Sequence, residues 1–134
     1  MNILFFLKPK DEVEFIYDDF SIRQTLEKLD IYGYSAIPIL DREGKYIDII
    51  SEGDILMYIK NNKDYNLKKA ENTNIKQINI RRKTISINVM SNMEDLLDIT
   101  LNQNFVPVVD DLNHFIGIIT RKDIIKYFYK KNGF

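Results

Sequence analysis

The sequence contains no cysteine, which excludes disulfides, thiolate metal sites and a cysteine nucleophile. Histidine occurs once, at His114, so no second imidazole completes a zinc site or a histidine-based triad. No lysine-bearing phosphate loop and no GxGxxG is present. No run approaches the roughly 18 consecutive apolar residues of a membrane helix. The short apolar stretch at residues 3–7 lacks a basic leader and a small-residue cleavage site, so it reads as an amphipathic turn against the core and not as a signal peptide. Neither charge sign dominates: 19 Lys and Arg face 20 Asp and Glu, which leaves no basic field to hold nucleic acid. These absences predict a cytoplasmic protein with no membrane or nucleic-acid partner, no metal site and no catalytic set. His114 and the acid pairs Asp18-Asp19 and Asp110-Asp111 fall at turns, where turn chemistry accounts for them.

What is present is an ordinary globular mixture, 45% hydrophobic and 29% charged. At 134 residues it fits one compact domain or two small, mutually dependent halves. A duplication favours the second. Residues 38–58 (PILDREGKYIDIISEGDILMY) align without gaps to residues 107–127 (PVVDDLNHFIGIITRKDIIKY), with eight of 21 positions identical at an offset of 69. Chance gives about one or two identities, so the repeat is a strong signal.

Each copy predicts the order strand, helix, strand, strand, helix. The first strands are 13–17 and 84–89, where apolar and polar residues alternate. The first helices follow Ser21, with Gly33 as the stop, and Ser91 or Asn92. Hairpins come next: 36–40 with 45–50 around a turn at 41–44, and 105–109 with 114–119 around 110–113. Pro38 and Pro107 suggest edge strands or strand starts. Closing helices run from Glu52 to about Lys60 and from Arg121 to about Lys130. The predicted fold is α+β with pseudo-two-fold symmetry, sheets packed together and helices outside. The division is 1–60 with its lead segment, a polar connector at 61–79 with a short helix near 74–78, and 80–134. Halves this small need each other to bury a core, and such pairing forms clefts where ligands sit.

On the segments IPILD (37–41), DIISEGD (48–54), VPVVD (106–110) and GIITRKD (117–123), the sequence resembles the CBS-domain family, as a tandem CBS pair. GYSAIPILD (33–41) and Thr120-Arg121-Lys122 are similar to the small stand-alone CBS proteins of Gram-positive bacteria that bind cyclic di-AMP. The resemblance implies a regulatory adenine-nucleotide ligand (cyclic di-AMP, AMP, ADP, ATP or S-adenosylmethionine), no cofactor, a homodimer and an unidentified target protein.

The residues suit that ligand chemically. The unpaired amides at a helix start and its positive dipole end form an anion site, which Thr120 would cap. Asp123 can accept from ribose hydroxyls, and Arg121 and Lys122 can meet phosphate. Tyr34 can stack on a base, Ser35, Ala36, Ile37 and Pro38 form a strand edge facing adenine, and Val13 and Phe15 wall the pocket. A second set comprises Ser51, Asp54, Phe105, Val106 and Pro107. There Asp48 and Glu52 place negative charge where a phosphate would lie, so Thr120–Asp123 is expected to be the working site. The lysines and arginines at 8, 10 and 81–83 could reach phosphates at the cleft mouth, although short runs of this kind are more often solvated surface. Ile55, Ile59, Ile124 and Phe128 are expected to form a homodimer face. The competing reading is a ligand-free structural or interaction protein, whose Ser/Thr-x-x-Asp motifs are plain helix caps.

Overall fold

The computed structural model describes residues 1–133. Its strands are β1 (Lys8–Pro9), β2 (Ile16–Tyr17), β3 (Ala36–Leu40), β4 (Tyr46–Ser51), β5 (Ile87–Asn88), β6 (Phe105–Val109) and β7 (Phe115–Thr120). Its α-helices are α1 (Ile22–Tyr32), α2 (Glu52–Asn61), α3 (Leu67–Asn72), α4 (Met93–Thr100) and α5 (Arg121–Lys131). Short 3-10 turns occupy Ile3–Phe6, Lys10–Glu12 and Ile75–Gln77. The chain divides into two compact units, Glu14–Lys83 and Met1–Val13 together with the chain from Thr84 onward.

In the first unit, Glu14–Lys83, the sheet order is β2-β3-β4. α1 begins at Ser21 in a capping box: the Ser21 hydroxyl accepts from the Gln24 amide, and the Gln24 side chain accepts from the Ser21 amide. It ends at Gly33, whose left-handed conformation (φ 67°) closes the last turn. Ile22, Leu29, Ile37, Ile39, Ile50 and Ile55 bury together with Ala70, Ile75 and Ile78. The stretch expected to be a surface connector therefore contributes to this core. α3 supplies Ala70, and the 3-10 turn, close to the short helix expected there, supplies Ile75.

In the second unit the order is β1-β7-β6-β5. Its core is Ile3, Phe6, Ile87, Leu96, Val106, Val108, Ile119 and Ile124. Met1–Val13, expected to lead the first half, lies in this unit instead. β1 pairs antiparallel with β7 (Lys8 opposite Ile118, Pro9 opposite Gly117), and Ile3 and Phe6 enter the core.

The duplication persists in fine detail. Both hairpins shift register at corresponding places, between Ile39 and Leu40 and between Val108 and Val109. Asp41 Oδ1 accepts from the amides of Glu43 and Lys45, and Asp110 Oδ1 accepts from those of Leu112 and His114. The left-handed turn position is Gly44 in one copy and Asn113 in the other, two residues that tolerate it. Pro38 and Pro107 lie in interior strands and not at edges. Proline is tolerated because β2 and β5 are only two residues long and pair beyond it, at Ile39 and Leu40 and at Val108 and Val109.

One paired position changes chemistry between copies. Arg42 forms a two-pronged ion pair with Asp19, at 2.7 and 2.9 Å, and covers the Tyr17 ring. At the equivalent positions Asn88 donates to Asp111 at 3.0 Å. The Arg42 hydrogen bonds hold the Asp19 carboxyl below its ordinary pKa. A carboxyl lowered on folding stabilises the fold above its unfolded pKa, and the contribution fades as pH falls through the folded value. Asp19→Asn should therefore melt below the wild type at pH 7, and the two melting curves should converge below about pH 4. A gap that persists unchanged at pH 3 would remove the ion pair from this account.

Candidate functional site

Each half passes from strand to helix with no loop between, so one residue both ends the strand and caps the helix. Thr120 ends β7, and its hydroxyl accepts from the Asp123 amide at 3.2 Å. Ser51 ends β4, and its hydroxyl accepts from the Asp54 amide at 3.1 Å. The first helical amide returns to the adjacent strand start in both: Glu52 donates to the Ser35 carbonyl at 2.9 Å, and Arg121 to the Asn104 carbonyl at 2.8 Å.

The two junctions differ in what their aspartates do. Asp54 closes on its own cap, accepting from both the amide and the hydroxyl of Ser51 at 2.9 Å. Its Oδ2 is thereby turned back onto the cap. Among the described residues the Asp123 carboxylate has no hydrogen-bond or ionic partner, and it is exposed. The same motif is thus self-satisfied at 51–54 and open at 120–123.

Lys122 is exposed beside Asp123. Arg121 is turned toward the loop after α4. Its guanidinium donates to the Thr100 carbonyl at 2.9 Å and to the Asn104 side chain. Those bonds use two of its five N–H donors. Arg121, Lys122, Asn104, Ile125 and Tyr129 line a groove of about 490 Å³ in this unit. Asp123 lines another, of about 550 Å³, with Phe5, Lys8, Lys126, Tyr127 and Lys130.

The remaining predicted residues distribute as follows. Thr120, Arg121, Lys122 and Asp123 share the second unit with Val13, Phe105, Val106 and Pro107. Val13, Val106 and Pro107 are buried there, and Phe105 pairs with Thr120. Phe15, Tyr34, Ser35, Ala36, Ile37, Pro38, Ser51 and Asp54 belong to the first unit. Ala36 pairs with Ser51. Tyr34 is half-buried beside Tyr32, and Ser35 is exposed, whereas Ile37 belongs to the core and Pro38, on the other face of β3, is buried. The Phe15 ring lies under Lys28, whose ammonium also meets the Phe15 carbonyl at 2.6 Å and Glu14 at 3.2 Å.

The expected dimer face needs correction. Ile55 and Ile124 are buried in the cores of their own units, and Ile59 and Phe128 pack against those cores. The exposed apolar residues on these helices are Leu56, Ile125 and Tyr129. Sequence reasoning also missed Phe5, which is 62% exposed yet held by the rings of Phe6 and Tyr127. Its signal was the aromatic pair Phe5-Phe6 in a stretch read as core.

Asp48, a charged residue in the first unit, is buried, and the nearby Tyr46 hydroxyl has its pKa pushed up, chiefly by burial and also by the Asp48 charge. Asp110 is held below the ordinary carboxylate range, first by the His114 amide. Both fit turn and core roles. No cluster of metal-binding side chains occurs among the described residues.

Two strand-to-helix caps of one pattern, each following a hairpin with the same register shift, define a duplicated module. The CBS domain family model matches residues 7–61 and 75–130, and the chain belongs to that family. It is 27% identical to an uncharacterized protein of Methanocaldococcus jannaschii over 83% of this chain and 83% of that protein. The structure is similar to that of CbpB in complex with c-di-AMP, with a TM-score of 0.86 and 27% identity over 97% of this chain and 85% of that one. Listeria monocytogenes CbpB in complex with c-di-AMP aligns with a TM-score of 0.79 and 25% identity, over 94% and 93%. The resemblance to stand-alone CBS proteins thus extends to the solved structures. Among the described residues no helix is long and apolar enough to cross a membrane.

Proposed function

We propose that this chain is a regulatory module that binds an adenine nucleotide at the start of α5 and, on doing so, changes its affinity for a partner protein. The observation that supports the reading is the open aspartate: the repeat builds one junction whose carboxylate folds back onto its own cap through Oδ2 and one whose carboxylate has no partner among the described residues. In this reading the first amides of α5 and Lys122 meet a phosphate, and Asp123 accepts from the ribose. Cyclic di-AMP, the ligand of the similar CbpB structures, and AMP are the foremost candidates. The module acts as a sensor and not as an enzyme, in the cytoplasm where such nucleotides are made. Ligand selects one conformational state, and a partner that prefers that state gains or loses affinity. Homodimerisation through the exposed Leu56, Ile125 and Tyr129 belongs to the same reading.

Calorimetry with cyclic di-AMP, AMP, ADP, ATP and S-adenosylmethionine tests it. At least one should bind the intact protein. Asp123→Asn should weaken that ligand about tenfold or more, the loss of a hydrogen bond to a charged acceptor. Glu52→Ala should leave it unchanged. No binding by any of the five returns the chain to the alternative, a ligand-free interaction protein with two ordinary helix caps. Sedimentation of the same samples checks the dimer, and a monomer with and without nucleotide counts against it.

A further inference from the structure

At the end of α2 away from the Ser51–Asp54 cap, a groove of about 400 Å³ is lined by α2, α3 and the loop between them, wholly within the first unit. Its lining holds three lysines, Lys63, Lys68 and Lys69, and no carboxylate. The whole chain carries a net charge of −1, so this is a local concentration of one sign. All of the lining except Tyr58 falls between residues 7–61 and 75–130, the segments that the CBS model matches. We infer that this groove docks an extended acidic peptide belonging to a partner protein. The inference rests on the reading that the module engages a partner, and it names the chemistry by which that partner is held.

The cations are available. Lys63 and Lys68 are exposed and have no ionic partner among the described residues. Lys69 uses one of its three donors on the Asp64 carbonyl, at 3.0 Å. The asparagines decide between ligands. Asn62 and Asn72 each donate to the carbonyl four residues earlier, at 2.7 Å to Tyr58 and 3.3 Å to Lys68. Both side-chain carbonyl oxygens are left without a donor among the described residues. Acceptors set among ammoniums suit a bare phosphate poorly. An extended peptide supplies both complements, backbone N–H groups for the asparagine oxygens and carboxylates for the lysines. Tyr58 and Tyr65 stand edge-to-face with centroids 5.5 Å apart, and they give the peptide's intervening side chains an apolar wall. The Tyr65 hydroxyl is shut away from solvent and has no hydrogen-bond partner among the described residues. An unmet buried hydroxyl is costly to a fold, and a peptide carbonyl entering the groove would meet it.

The test follows a labelled peptide of alternating glutamate and valine by fluorescence anisotropy, with the intact chain at low salt. The peptide should bind, and its counterpart with glutamine for glutamate should bind about tenfold more weakly or worse, because the ionic contacts are gone. Lys63→Gln combined with Lys68→Gln should weaken the glutamate peptide about fivefold and flatten its salt dependence. Lys131→Gln, at an exposed position in the other unit, should change neither. Tyr65→Phe should weaken the peptide about threefold while raising the melting temperature, since it removes the unmet hydroxyl. Unchanged peptide affinity in both the lysine and the Tyr65 variants overturns the inference. So does a glutamine peptide that binds equally well, and so does displacement of the peptide by inorganic phosphate at matched ionic strength, which marks a bare-anion site. A wild type that binds nucleotide but not the glutamate peptide sinks this inference and spares the nucleotide reading, and the reverse pattern does the opposite.

Discussion

Gly117→Ala should destabilise the second unit by roughly 3 kcal/mol, at the upper end for a side chain forced into occupied space. A Cβ at Gly117 would stand 2.2 Å from the Lys8 carbonyl oxygen, 2.9 Å from Leu7 Cδ1 and 3.0 Å from Pro9 Cα. Two of these neighbours are backbone, so neither can swing aside. Relief requires β1 to move off β7, and with it the segment that carries Ile3 and Phe6. The residue's φ of 154° adds strain for any side chain. Gly53→Ala in α2 is the control. Its Cβ would meet only Ser51 Oγ, at 3.6 Å, and alanine there should gain about 0.5–1 kcal/mol from helix propensity. Urea midpoints of both variants decide the matter. Equal small effects would mean that β1 does not hold its place against β7. The repeat makes the same point: the position equivalent to Gly117 is Asp48, on β4, which has no strand along its outer side.

Ile3→Ala is expected to have the other large effect, about 2–5 kcal/mol for a fully buried branched residue truncated to a methyl. Its location is the sharper readout. Amide hydrogen exchange should accelerate in β7 and α5, and exchange within Glu14–Lys83 should stay near the wild-type pattern. Acceleration in β3 and β4 instead would put the opening segment with the wrong sheet.

Much of the fold was legible because its signals are local. Ser21 and Gly33 bound α1 through their own backbone and side-chain chemistry. The turn aspartates Asp41 and Asp110 fix both hairpins with bonds that span four residues. β6 occupies the expected residues 105–109 for the same reason. The first strand was overestimated: 13–17 alternates well enough, yet only Ile16 and Tyr17 pair, opposite Ile39 and Leu40, because the ladder begins past Pro38, which has no amide to give. That limit belongs to a partner about twenty residues away, which periodicity cannot report.

The placement of the lead segments was missed for a similar reason, although a trace of it is present. Asn2-Ile3 and Asn74-Ile75 each begin a 3-10 turn that the asparagine side chain caps, and each isoleucine is buried. They stand 72 residues apart and not 69, so an ungapped comparison passes over them. At the site, the twice-repeated Ser/Thr-x-x-Asp was plain in the sequence. The difference between its copies was not, because a closed and an open cap share one pattern and differ only in where a carboxylate turns. The engagement of Arg121 by Thr100 and Asn104 was equally out of view, since it depends on the loop after α4.

The membership of Met1–Val13 has a topological consequence. The chain leaves the second unit after Val13, builds the whole of the first, and returns at Thr84. The first unit is therefore an insertion spliced into the second. A single nick after Lys83 would not free a complete half: the fragment carrying the first unit would still hold the strip that fills its neighbour's core. The two units are stitched by two covalent passages, and a fragment cut at the repeat boundary would lack part of its own interior.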